Sequence, residues 1–150
     1  MEGNTLALIA HDAKKDEMVS LVRARQLELA RFNLVATRGT GRLIQQKTGL
    51  NIRLMQSGPS GGDQQIGAMV TGGEVDAVVF LRDPLMAQAH EPDISALLRI
   101  CDVHNVPLAT NLATAEAVLH TFFEHPRLLK ARKVIDQYAE EPVSVNYTNG

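Results

Sequence analysis

The chain has 150 residues, a formal net charge of −2 and 45% hydrophobic residues. That length suits one domain with a sizeable core, and the absence of basic runs interleaved with aromatics excludes a nucleic-acid-binding surface. A single cysteine, Cys101, excludes a disulfide framework and a cysteine-based zinc cluster, and no apolar run approaches the roughly 18–20 residues that span a membrane.

The apolar neighbours of Cys101 predict a buried thiol, and with no signal-peptide pattern the chain is expected to be cytoplasmic. Strand signals then alternate with helix signals. Residues 6–10 form an apolar run closed by His11-Asp12, and the spacing of Met18, Leu21, Val22, Leu27 and Leu29 predicts a helix over 17–30. Residues 33–36 predict a second strand, 37–41 a Gly/Thr loop, and 42–47 a short helix that Gly49 can stop.

A third strand is predicted over 51–55, and Ser57-Gly58-Pro59-Ser60-Gly61-Gly62-Asp63-Gln64-Gln65 follows it. Its glycines let the backbone approach a ligand closely, and a helix over 64–70 would begin with unpaired N–H donors that favour an anion. Asp63 is either the cap of that helix or a functional carboxylate. Residues 75–81 form the most apolar strand, expected mid-sheet. A polar segment over 82–92 leads to a helix over 93–104, with Ile94, Leu97, Leu98 and Cys101 on one face. Residues 107–110 predict a fifth strand, and Asn111 caps a helix through 123 with Ala115, Val118, Leu119 and Phe122 inward. One domain is expected over 1–150. The periodicity weakens beyond Pro126, and 140–150 are expected to fray or to engage a neighbouring subunit.

Five βα units predict a parallel sheet with helices on both faces and a ligand site beyond the carboxyl ends of the strands. Every predicted strand end carries polar groups. His11, Asp12 and Lys15 follow the first strand; Thr37, Arg38, Gly39 and Thr40 the second; and Ser57, Gly58 and Asp63 the third. Asp83, His90 and Asp93 follow the fourth, and Thr110-Asn111 the fifth. By residue type alone Lys15, in the run Lys14-Lys15-Asp16-Glu17, also fits a solvated helix start.

Ala10-His11-Asp12 with Lys15, the block from Ser57 through Asp63-Gln64-Gln65, Asp83-Pro84-Leu85, His90-x-Pro-Asp93 and Ala109-Thr110-Asn111 together resemble the methylglyoxal synthase family over about residues 6–120. The resemblance implies a three-layer α/β/α fold with strand order 3-2-1-4-5, which would bring His11 and Asp83 to one crevice. It also implies a homo-oligomer, commonly a hexamer. The implied reaction converts dihydroxyacetone phosphate to methylglyoxal and inorganic phosphate without metal or organic cofactor; whether the product phosphate is also a regulator is left open by the sequence. By the same resemblance Asp63 is the base, and His90 donates to a substrate oxygen and helps move protons. Asp93 either orients His90 or caps its helix, and Asp83 holds His11, His90 or a backbone group. Lys15, the hydroxyls of Thr37, Thr40 and Ser57, and a close approach at Gly58 would hold the phosphate. His104, His120 and His125 fit surface positions.

The family's phosphate loop reads Thr-Gly-Thr-Thr-Gly, whereas this chain has Thr37-Arg38-Gly39-Thr40-Gly41. Arg38 would be strained if its position needed a positive φ, unless Gly39 takes over that conformation; otherwise its guanidinium contacts phosphate or points to solvent. Similar domains also serve as non-catalytic regulatory modules that bind phosphorylated effectors, as in large carbamoyl phosphate synthetases. The set Asp63, Asp83, His90 and Asp93 favours the enzyme, because a carboxylate beside a bound dianion repels it.

Overall fold

A computed structural model describes residues 3–129 of the chain. Its centre is a five-stranded, wholly parallel sheet in the order β3-β2-β1-β4-β5, as expected. The strands are β1 (Thr5–Ala10), β2 (Asn33–Ala36), β3 (Arg53–Leu54), β4 (Ala77–Leu81) and β5 (Leu108–Ala109). β1 and β4 lie in the interior with both faces covered, which is why they read as unbroken apolar runs. The edge strands are shorter than the sequence suggests, and beside β3 side chains take backbone groups that a longer strand would pair. Gln45 Nε2 donates to Ile52 O at 3.0 Å, and Gln56 N donates to Gln65 Oε1 at 2.7 Å.

Helices α1 (Lys15–Ala24), α2 (Gln26–Leu29), α3 (Arg38–Thr48), α4 (Gly62–Thr71), α5 (Glu91–Val103) and α6 (Leu112–Glu124) make the outer layers. Successive β1 residues point to opposite faces. Leu6 and Leu8 join Met18, Val22, Ile44, Leu119 and Phe122 beneath α1, α3 and α6. Ala7 and Ile9 join Ile66, Val70, Phe80, Ile94 and Leu97 beneath α4 and α5. Cys101 lies in this second core, where burial pushes its thiol up to about 12.

Two sequence expectations change. The helix over 17–30 is broken at Arg25, whose φ of −118° and ψ of 19° leave the helical region while its guanidinium pairs with Glu116 on α6. Leu27, one of the residues whose spacing predicts that helix, is exposed. The Gly/Thr loop over 37–41 is instead the first turn of α3. Gly41 serves packing there: a Cβ would lie 2.3 Å from Leu54 Cδ2 on β3. Gly49 ends α3 in the left-handed region, as expected. Pro126–Leu129 forms a 3-10 turn, and the expectation for 140–150 lies outside the described residues.

Candidate functional site

The carboxyl ends of β1, β2, β3 and β4 surround a crevice of about 530 Å³. His11, Lys15, Thr37, Thr40, Ser57, Asp63, Asp83 and His90 line it. β1 and β4 are neighbours although α1 to α4 separate them in sequence, so the two strand ends meet in space. The Asp83 backbone N–H donates to His11 Nδ1 at 2.8 Å. An imidazole nitrogen that accepts a backbone N–H carries no proton of its own, which places the proton of neutral His11 on Nε2. Burial, and then the charge His90 can carry, lower the His11 pKa and favour that neutral form. Its Nε2 is buried with no partner among the described residues.

Asp63 lies in the first turn of α4 and is 1% exposed. It is not the helix cap, a position held by Gly61 at a φ of 104°. Its Oδ2 pairs with His90 Nδ1 at 2.8 Å, while Oδ1 is buried and unpartnered among the described residues. Burial raises the Asp63 pKa, and the hydrogen bond from His90 works against that rise. With Asp63 ionised, the shared proton sits on His90 Nδ1, and a neutral ring then keeps a lone pair on Nε2. The His11 and His90 rings stand edge to face, with centroids 6.0 Å apart.

Two glycines permit this pairing. A Cβ on Gly62 would lie 2.0 Å from Gln56 O, so only glycine lets α4 begin here. A Cβ on Gly58 would lie 2.8 Å from His90 Cε1, so Gly58 makes room for the ring. The close approach expected at Gly58 is thus an approach to His90.

On the opposite wall, Thr37 is extended and precedes α3. The Arg38 N–H is directed to Gln56 O at 3.4 Å, and those of Gly39 and Thr40 are left at the helix start. Lys15 Nζ lies 3.0 Å from where a Cβ of Gly39 would be and pairs with Asp12, so it reaches over this helix start rather than into bulk solvent. The Lys15 hydrogen bond holds the Asp12 carboxyl below the usual range. Among the described residues, no group of three or more His, Cys, Asp or Glu side chains is arranged to hold a metal.

The family model described as MGS-like domain matches residues 17–110. The chain is 57% identical to the methylglyoxal synthase of Moorella thermoacetica over 81% of its own length and 94% of that protein's. The chain belongs to the methylglyoxal synthase family. The Oceanobacillus iheyensis methylglyoxal synthase is 51% identical over 91% of this chain and 96% of its own. The crystal structure of methylglyoxal synthase from Elizabethkingia anophelis superposes with a TM-score of 0.75 at 43% identity, covering 81% of this chain and 80% of that one. Membership makes the chain an enzyme of the lyase class.

Three residues had open roles: Arg38 and Asp83 each take one of the expected alternatives, and Asp93 takes neither of its own. Arg38 has helical backbone geometry without a positive φ; its side chain is exposed and lies outside the crevice lining. The Asp93 backbone N–H donates to His90 O at 3.0 Å, but its carboxylate neither holds the His90 ring nor caps α5; Oδ1 accepts from Gln64 Nε2 at 2.7 Å. The Asp83 carboxylate accepts from the Leu85 N–H at 3.1 Å, so it is the Asp83 backbone that holds His11. Gln64 was overlooked by sequence reasoning. The repeated amide in Gln64-Gln65 was its only signal, and each of the two amides ties a different segment to the start of α4. A larger hollow of about 620 Å³ lies at the amino ends of β1, β2 and β3. The buried unpartnered Asp63 and His11 atoms are at the other end, so chemistry and not size marks the site.

Proposed function

We propose that this crevice converts dihydroxyacetone phosphate to methylglyoxal and inorganic phosphate. The observation that carries the reading is the buried carboxylate of Asp63, with one oxygen held by His90 and the other without a partner among the described residues, beside a neutral His11 whose N–H likewise has none there. The names of the relatives at 57% and 51% identity support it.

In the proposed mechanism Asp63 Oδ1 takes a proton from the hydroxymethyl carbon beside the ketone, and the electron pair moves onto the carbonyl oxygen. His11 Nε2–H donates to that oxygen as its charge develops. Once the hydroxyl proton has passed to the former carbonyl oxygen, the pair on the other oxygen forms the aldehyde C=O, the carbon–carbon double bond shifts toward the methylene, and the C–O bond to phosphate breaks. Phosphate departs with the bonding pair, and the enol left behind takes a proton on its methylene carbon to give methylglyoxal. His90 Nε2, a lone-pair site while Nδ1 holds Asp63, can move protons between the two substrate oxygens. A raised Asp63 pKa makes the carboxylate a stronger base than one in water, which this step requires.

Lys15 and the N–H groups of Gly39 and Thr40 supply the phosphate seat, with the Ser57 hydroxyl and Thr37 at its rim. We include homo-oligomer formation, as a hexamer, in the same proposal. Leu85 and Met86, 95% and 64% exposed beside the crevice, are apolar surface that a neighbouring copy would cover. Among the described residues no helix is long and apolar enough to cross a membrane.

The test is incubation with dihydroxyacetone phosphate while methylglyoxal and inorganic phosphate are followed together, with Asp63→Asn as control. Equal release of both products, reduced about 10²–10⁴-fold in the variant, is the expected result. Wild-type protein that binds phosphate yet releases neither product would hand the crevice to the regulatory-module reading.

A further inference from the structure

Thr40 is expected to hold phosphate, but its surroundings give it a different task. β1 continues two residues beyond its last partner on β2, since the pairing stops at Leu8 and Ala36. There β2 turns away into α3, and Ala10 is left facing the gap with both its N–H and its C=O. Thr40, 2% exposed, fills it. Its Oγ1 accepts the Ala10 N–H at 3.1 Å, donates to Ala10 O at 3.3 Å and accepts from Thr37 Oγ1 at 3.3 Å. A hydroxyl has one proton and two lone pairs, so this set leaves nothing for a ligand.

We infer that Thr40 is a positioning residue whose hydroxyl replaces the missing rung between β1 and β2, and thereby holds His11 in register with the start of α3. His11 directly follows Ala10, and its own N–H donates to Leu81 O at 3.1 Å on the β4 side. Ala10 is therefore fixed from one side by Thr40, and His11 from the other by β4 and by the Asp83 N–H. Without the Thr40 rung, two buried backbone groups lose their partner and the strand end that carries His11 is free to shift. The inference rests on the proposed reaction only where turnover is the readout.

Thr40→Val keeps the shape and deletes the hydroxyl. The expected result is a fall in kcat of at least about tenfold, the order that a displaced donor produces, with affinity for inorganic phosphate within about threefold of wild type. Thr40→Ser restores kcat. Imidazole nitrogen NMR should find His11 protonated on Nε2 in wild type and as a mixture of tautomers in Thr40→Val. A tenfold loss of phosphate affinity with kcat and tautomer unchanged would overturn the inference and make Thr40 a ligand. If Thr40→Val does not fold, amide hydrogen exchange at Ala10 in wild type decides. Protection unaltered by saturating phosphate supports the rung, whereas protection lost on adding phosphate shows the hydroxyl turning to the anion. If wild type shows no turnover, the proposed reaction fails on its own, and the tautomer and exchange results still judge Thr40.

Discussion

Helices α3 and α4 start beyond the ends of adjacent strands from glycine-rich sequence, and the residues before them share one backbone geometry. Thr37 has φ −63° and ψ 154°, and Ser57 has φ −63° and ψ 157°. They differ in what comes next. α3 begins at once and has no acid in its first turn, so its first N–H groups and Lys15 are the groups to which the proposed function gives the phosphate. After Ser57 a 3-10 turn over Gly58–Ser60 and the left-handed Gly61 intervene before α4, and Asp63 enters the first turn of the helix. The α4 dipole favours the charged carboxylate while burial opposes it, and burial prevails. In the proposed function, one inserted turn separates the seat for the substrate's charge from the seat for the base.

Substitution at Gly58 gives the sharpest break in that comparison. Its φ is not positive, so alanine meets no backbone strain, but the added Cβ would press on the His90 ring, whose Nδ1 holds Asp63. Gly58→Ala should lower kcat by about 10–100-fold, as a small displacement of a reacting group does, and leave phosphate affinity within about threefold. Steady-state kinetics with phosphate as a competing ligand checks this. An equal loss of phosphate affinity would mean that the two helix starts do not divide the work.

The alternation of strands and helices was largely readable because β1 and β4 are unbroken apolar runs and because α5 and α6 show clear 3.6-residue spacing, whereas the strand order came from the family resemblance. The start of α3 was not. Glycine and threonine are poor helix formers and signal a loop, yet a Cβ on Gly41 would press on the Leu54 side chain, a tertiary contact that local pattern cannot reveal. Within the site, residue types located the crevice, and the structure brings His11, Lys15, Thr37, Thr40, Ser57, Asp63, Asp83 and His90 to it. Partner choice was hidden. Asp93 could be placed three residues from His90, but whether its carboxylate turns toward that ring or toward Gln64 depends on how α4 packs on α5.

A smaller effect concerns the Asp63 charge. A carboxyl whose pKa is higher in the folded than in the unfolded chain binds its proton more tightly when folded. That contribution to stability is fully present below the ordinary carboxylate range and is lost as pH rises through the raised value. Wild-type protein should therefore lose stability across this window relative to Asp63→Asn, which has no proton to release. Thermal melts of both proteins from acid to neutral pH should show the variant gaining a few degrees on wild type. In wild type, kcat should fall as pH drops through the same window, because the base becomes protonated. Parallel melting curves would show that Asp63 is not held against its charge, and the α4 start would then be an ordinary helix terminus.

The smallest effect is expected at the α3 start, where the chain departs from its family. A threonine side chain at position 39 would meet Lys15 Nζ at 3.0 Å, and that atom is the free end of a flexible chain. Lys15 can yield by rotation, keeping its charge over the helix N-terminus. Arg38 is exposed and helical, so glycine there removes no contact with the crevice. Restoring the family pattern with Arg38→Gly and Gly39→Thr together should change substrate affinity by no more than about threefold and leave kcat unchanged, in keeping with substitutions away from packed features. Isothermal titration with inorganic phosphate, together with substrate kinetics, measures both quantities. A tenfold gain in phosphate affinity would mean that Gly39 weakens the seat by letting Lys15 stay paired with Asp12 instead of turning to the anion, and the α3 start would be specialised in this chain rather than merely varied.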